Sequence, residues 1–242
     1  MMARRLARIR LDDRFYPMLA LDHGLTNGTG DVVPAQNVAG IVESCSQDIG
    51  SVVLTYGLAM SNRGHIKLPL ILQCFGAPLG LPRVKICTIE QALRLDAAAV
   101  AVQIDFAQRE HLSCQIREIS SFVSEAHAMG MPVLFMTTGA EPKDLDKVSQ
   151  SIRMCQELGA DLIKIRCIVP EHKDSPGAAD LILVIKHAPP LLLTGGGVNT
   201  EIVTEVTRAK SFGFSGYCIG RNIFKAETPS KMARELRNAF VH

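Results

Sequence analysis

Short apolar runs recur along the whole chain, at 17–21, 51–55, 68–74, 98–104, 132–136, 162–167, 190–194 and 216–219. Each has strand length, and most are apolar throughout rather than alternating. Strands covered on both faces look like this. Between them lie stretches with apolar residues on one helical face, at 34–48, 88–95, 110–129, 142–158, 199–212 and 229–240. The connection after the second run is short and holds glycine, so 57–67 gives the weakest helix pattern. Strand and helix in alternation predict a parallel sheet with helices on its outside. Eight such units in 242 residues fit a closed (β/α)8 TIM barrel. An open doubly wound sheet is the alternative, but no GxGxxG follows the first run. No linker, low-complexity tract or composition shift divides the chain, which predicts a single domain over 1–242.

Composition narrows the partners. The chain is 47% hydrophobic and 21% charged, with a net charge of +2, which gives a large core and no charge excess for nucleic acid or a membrane surface. No apolar run approaches membrane-spanning length. Seven dispersed cysteines, Cys45, Cys74, Cys87, Cys114, Cys155, Cys167 and Cys218, form no CxxC pair. They read as reduced, buried thiols of a cytoplasmic protein, with no metal site. The basic start, with Arg4, Arg5, Arg8 and Arg10, has no signal-type apolar stretch, because Asp12, Asp13 and Arg14 interrupt it. An Arg-rich amphipathic start also suits an organelle transit peptide. We read it as a lead-in covering the barrel bottom.

A barrel places chemistry at the C-terminal ends of its strands. The sixth run carries Lys164 among Leu162, Ile163 and Ile165. Burial disfavours an ammonium, and a lysine driven towards neutrality is a nucleophile for carbonyls. The plainer alternative is a packed stem with its head on water or a carboxylate. The first run ends in Asp22 and His23, of which the period of two lets one face the mouth; Asp22 is expected there. A turn or cap role is its alternative. Tyr56, after the second run, could move a proton or simply cover the core. Asp105, after the fourth, could hold a substrate hydroxyl, but a helix N-cap suits it better. The last two runs end in Gly195-Gly196-Gly197 and in Gly220-Arg221-Asn222. Glycine backbone and a guanidinium fork at those two ends predict a phosphate site.

These pieces together resemble the DeoC/DhnA-type class I aldolases, which include archaeal-type fructose-bisphosphate aldolase and aminodideoxyheptulosonate synthase. Within that family the chain looks most like the branch containing the phospho-autoinducer-2 thiolase. Leu21-Asp22-His23-Gly24, Gly130-Met131-Pro132, the stretch from Gly159 to Lys164, Thr194 to Gly197, and Ile219 to Phe224 occur in the family's order. The resemblance implies a Schiff base on Lys164, acid/base work by Asp22, and phosphate held by Gly196, Gly197, Gly220 and Arg221; His23, Tyr56 or Asp105, in that order, are our own candidates to assist Asp22. It also implies no metal or other cofactor, a phosphorylated keto substrate and a homo-oligomer. The family's tyrosine after strand five is replaced by Met136-Thr137-Thr138-Gly139. That replacement speaks against a plain fructose-bisphosphate aldolase and keeps a thiolase-type alternative open; the main expectation is a lyase or synthase that breaks or forms a C–C bond in a phosphorylated keto substrate. The alternatives are thiolase-like transfer of an acyl group from a phosphorylated diketone to coenzyme A, and a non-catalytic sugar-phosphate-binding barrel.

Overall fold

In the sixth apolar run, Leu162 and Lys164 point one way and Ile163 and Ile165 the other. Leu162 packs inside a ring with Met18, Val53, Ile71, Leu134 and Leu192. Ile163 and Ile165 pack between the sheet and the surrounding helices. This alternation sorts every barrel strand into an inner and an outer core. Each fully buried aliphatic side chain contributes about 1.5–3 kcal/mol.

The structure is a computed structural model that describes residues 1–12, 14–27, 33, 37–78 and 81–242. Its strands are β1 (Tyr16–Ala20), β2 (Ser51–Leu54), β3 (Leu70–Gln73), β4 (Phe75–Gly76), β5 (Val84–Lys85), β6 (Ala99–Asp105), β7 (Val133–Thr138), β8 (Leu162–Ile165), β9 (Leu191–Leu193) and β10 (Gly216–Ile219). Eight of them close into a parallel barrel in the order β1-β10-β9-β8-β7-β6-β3-β2. Closure runs through the pairing of Met18 with Cys218 on one side of β1 and with Ser51 on the other. All eight expected strands are present. The remaining two, β4 and β5, form a small antiparallel hairpin that the apolar pattern does not mark.

The helices follow the expected order. Thr88 caps Ile89–Arg94 with a reciprocal Thr88–Gln91 capping box, and Asp144 caps Leu145–Glu157 through the Lys147 amide. Gly159, at φ +90°, ends that second helix in the left-handed conformation and turns the chain into β8. The first expected helix is shorter, Val38–Cys45, and 34–36 lie outside the described residues. The weak segment after β2 is a six-residue helix, Tyr56–Ser61. A helix at Ala178–His187, which the sequence did not mark, follows β8.

The basic start is a helix, Met2–Arg8. Ile9 is fully buried in the barrel interior, and Arg5 donates to the Ala97 carbonyl just before β6. The segment thus covers the barrel bottom, and the open end is the C-terminal one. No helix among the described residues is long and apolar enough to cross a membrane.

Candidate active site

At the C-terminal mouth lies a pocket of about 320 Å³, within the range of small-molecule sites. Lys164 stands at its edge on the inner face of β8, with Asp22, His23 and Arg221 among the other lining residues. Asp22 is 6% exposed. Its Oδ1 lies 4.0 Å from His23 Nδ1, and the His23 ring meets Phe224 edge-on. Both residues of the pair face the pocket, contrary to the one-in, one-out expectation. They lie just past the end of β1, where the strand's alternation no longer applies.

Lys164 has two close companions below and beside it. Cys218, on the inner face of β10, and Asp22 both act on its charge. Burial pulls the Lys164 value down, but Cys218 and Asp22 together outweigh it and leave the pKa raised. The expected drift towards neutrality is therefore reversed. Burial pushes the Cys218 thiol up as well, so the lasting negative charge beside Lys164 near neutral pH is that of Asp22.

The glycine loops divide into a packing part and a lining part. Gly196, at φ +64°, and Arg221 line the pocket. Gly195, Gly197 and Gly220 do not. A Cβ on Gly195 would come 2.6 Å from Asn222 Nδ2, and one on Gly220 would press on the Ala20 carbonyl and the His23 ring. Bareness at Gly195 lets Asn222 pack against it and at Gly220 admits β1 and the His23 ring, while a Cβ on Gly197 would meet nothing. Asn222, 5% exposed, fastens those loops: it donates to the Gly197 carbonyl at 3.0 Å and accepts from the Asn199 amide at 2.7 Å. Beneath Gly196 lies Arg166, bound to both carboxylate oxygens of Glu205 at 2.6 and 3.1 Å and donating to the Thr194 carbonyl.

Two expectations fail on position. Tyr56 does not line the pocket; it opens the helix after β2 and packs against the outer core. Asp105 is no helix cap, because Gln108 precedes the first turn of Arg109–Ala128. Instead its Oδ1 accepts from the Ala107 amide, and its Oδ2 binds Arg83 at 2.9 Å. Arg83 also donates to Thr138 Oγ1 at 2.7 Å. Burial draws the Arg83 guanidinium down from its ordinary value while Asp105 opposes that. Arg83 sits on the hairpin that the sequence did not reveal, in a stretch with no strand-length period to place it. Among the described residues, no cluster of three or more His, Cys, Asp or Glu is disposed to hold a metal.

An eight-stranded barrel with a lysine among carboxylate and guanidinium at its C-terminal mouth is the architecture of the metal-independent, Schiff-base class of aldolase enzymes. The chain belongs to that class through its family: the model of the DeoC/LacD family aldolases matches residues 17–226. It is 27% identical over 253 residues to a 2-amino-3,7-dideoxy-D-threo-hept-6-ulosonate synthase of Halobacterium salinarum, covering 98% of this chain and 90% of that protein. It is 28% identical over 263 residues to a 3-hydroxy-5-phosphonooxypentane-2,4-dione thiolase of Yersinia enterocolitica, covering 100% of this chain and 82% of that protein. In fold it superposes on an archaeal fructose 1,6-bisphosphate aldolase with a TM-score of 0.83 at 22% identity, covering 99% of both chains.

Proposed function

We propose that the protein cleaves or forms a C–C bond in a phosphorylated keto compound through an imine on Lys164. The observation that carries this reading is Lys164 and Asp22 sharing a pocket with Gly196 and Arg221. The Lys164 amine adds to the ketone carbon, and the resulting carbinolamine loses water to give an iminium. The iminium draws the electron pair of the bond between its α- and β-carbons into an enamine, which is then protonated at the α-carbon and hydrolysed to free Lys164. The proton on the hydroxyl of the departing carbon passes to the Asp22 carboxylate. Run backwards, the same steps join an enamine to an aldehyde. His23 lies beside Asp22, its Nδ1 4.0 Å from the carboxylate, and lines the same pocket. The phosphate end lies at Gly196 and Arg221, and the names of both relatives quoted above suit small oxygenated keto compounds. Borohydride reduction with a panel of phosphorylated ketoses, read by intact mass and peptide mapping, tests the reading. The expected result is one adduct per chain, on Lys164; an adduct on another lysine would sink it.

A thiolase-like second reading is favoured by one observation: no tyrosine lines the pocket among the described residues. The two readings separate in a turnover assay with and without coenzyme A, because acyl transfer requires the added coenzyme A and consumes its thiol, whereas aldol cleavage releases an aldehyde without it.

The anion end makes its own prediction. Arg221→Ala removes a charge-assisted fork and weakens binding of a phosphorylated ketose by about 1.5–3 kcal/mol. Calorimetric titration of both forms with the same ligand checks this, and equal affinities would remove Arg221 from the phosphate site.

A further inference from the structure

Across the barrel from the glycine loops, the pocket wall carries polar groups that the lysine chemistry does not use. In the ring of strands, β3 and β6 stand opposite β9 and β10. Arg83 lies over that far wall, 7% exposed, tied by one guanidinium nitrogen to Asp105 at the end of β6 and by the other to Thr138 at the end of β7. Its Nε–H is buried and has no partner among the described residues. Gln103 lies two residues before Asp105 on β6, so both face the same way. Gln103 also lines the pocket, and its side-chain oxygen is likewise buried without a partner. Leaving a buried donor or acceptor unmet costs roughly 1–3 kcal/mol. A wall of one pocket that holds one of each is suited to a ligand that brings the complements.

We propose that Arg83 and Gln103 form the subsite for the aldehyde partner of the reaction, and that this partner is an uncharged, hydroxyl-bearing aldehyde. The charge count decides the class. Arg83 is already neutralised by Asp105 at 2.9 Å, so a second anion on this side would face that carboxylate. A hydroxyl suits the wall on both counts, because it accepts from Nε–H and can donate to the Gln103 oxygen. The phosphate stays at the opposite side, where Arg221 lies. The inference rests on the lysine reading above and deepens it by naming the second substrate.

The test uses the whole protein with dihydroxyacetone phosphate as keto donor and three aldehydes. Glyceraldehyde carries hydroxyls, propionaldehyde none, and glyceraldehyde 3-phosphate adds an anion. Trapping of dihydroxyacetone phosphate alone by borohydride reads Lys164 without the aldehyde. The expected kcat/KM for glyceraldehyde exceeds that for propionaldehyde at least about tenfold, as for a hydrogen bond to a charged group. Gln103→Met keeps the Arg83–Asp105 pair and removes the acceptor. Arg83→Lys keeps the charge beside Asp105 and removes both Nε–H and the tie to Thr138. Both should raise KM for glyceraldehyde by about tenfold more than KM for propionaldehyde. A preference of the parent enzyme for the phosphorylated aldehyde would overturn the inference, as would variants that slow both uncharged aldehydes alike. In either case a normal trapped adduct would leave the lysine reading standing. Failure of the parent protein to trap any phosphorylated ketone would sink that reading, and the inference with it.

Discussion

Lys164→Arg should fold, bind a phosphorylated ketose and fail to form any borohydride-stable adduct. The substitution keeps a cation beside Asp22 and Cys218, the two groups that hold the Lys164 ammonium. An arginine remains protonated across the pH range of the experiment and has no free electron pair to add to a carbonyl. Turnover should fall by at least about a thousandfold, as removal of a covalent nucleophile does. Lys164→Ala should be equally inactive but also less stable, because it leaves Asp22, 6% exposed, without its cationic neighbour. Circular dichroism and phosphate-ligand titration of the arginine form separate lost chemistry from lost folding. Persistent turnover by a folded, ligand-binding Lys164→Arg protein would remove Lys164 from the mechanism.

Much of this was legible because a barrel strand must keep its two faces distinct. The apolar run around Lys164 marked a buried strand carrying a lysine, and the mouth then followed from the direction of the strands. Counting by twos failed at Asp22 and His23, because it was carried past the strand end. Arg83 left no trace, because its partners Asp105 and Thr138 are 22 and 55 residues away and meet it only through a short hairpin. Cys218 looked like one more apolar strand residue. Only the register of β8, β9 and β10 sets Cys218 on the same inner face as Lys164, one strand away across β9. The upward displacement of Lys164 is of the same kind. A strand pattern signals burial, which acts downward, but not the carboxylate arriving from β1.

That carboxylate gives the second large effect: Asp22→Asn should trap substrate on Lys164 yet turn over at least about a hundredfold more slowly. The amide keeps the shape of the side chain and cannot take the hydroxyl proton in C–C cleavage. Its influence on Lys164 should run the other way. Burial favours the neutral amine, while Cys218 and the Asp22 charge favour the ammonium and at present prevail. Removing the Asp22 charge leaves burial less opposed, so the Lys164 pKa falls and a larger fraction is unprotonated at a given pH. The rate of borohydride trapping rises with pH as the amine loses its proton, and in Asp22→Asn that rise should begin at lower pH than in the parent. Stability should follow the same sign. A lysine held above its ordinary value adds stability at neutral pH that is lost only as pH climbs beyond that value, so Asp22→Asn should show less loss over the alkaline range. Trapping rates from pH 6 to 10, measured beside steady-state turnover, read both effects together. An unchanged trapping profile would show that Asp22 does not govern the Lys164 proton, and near-normal turnover would assign proton transfer to His23 instead.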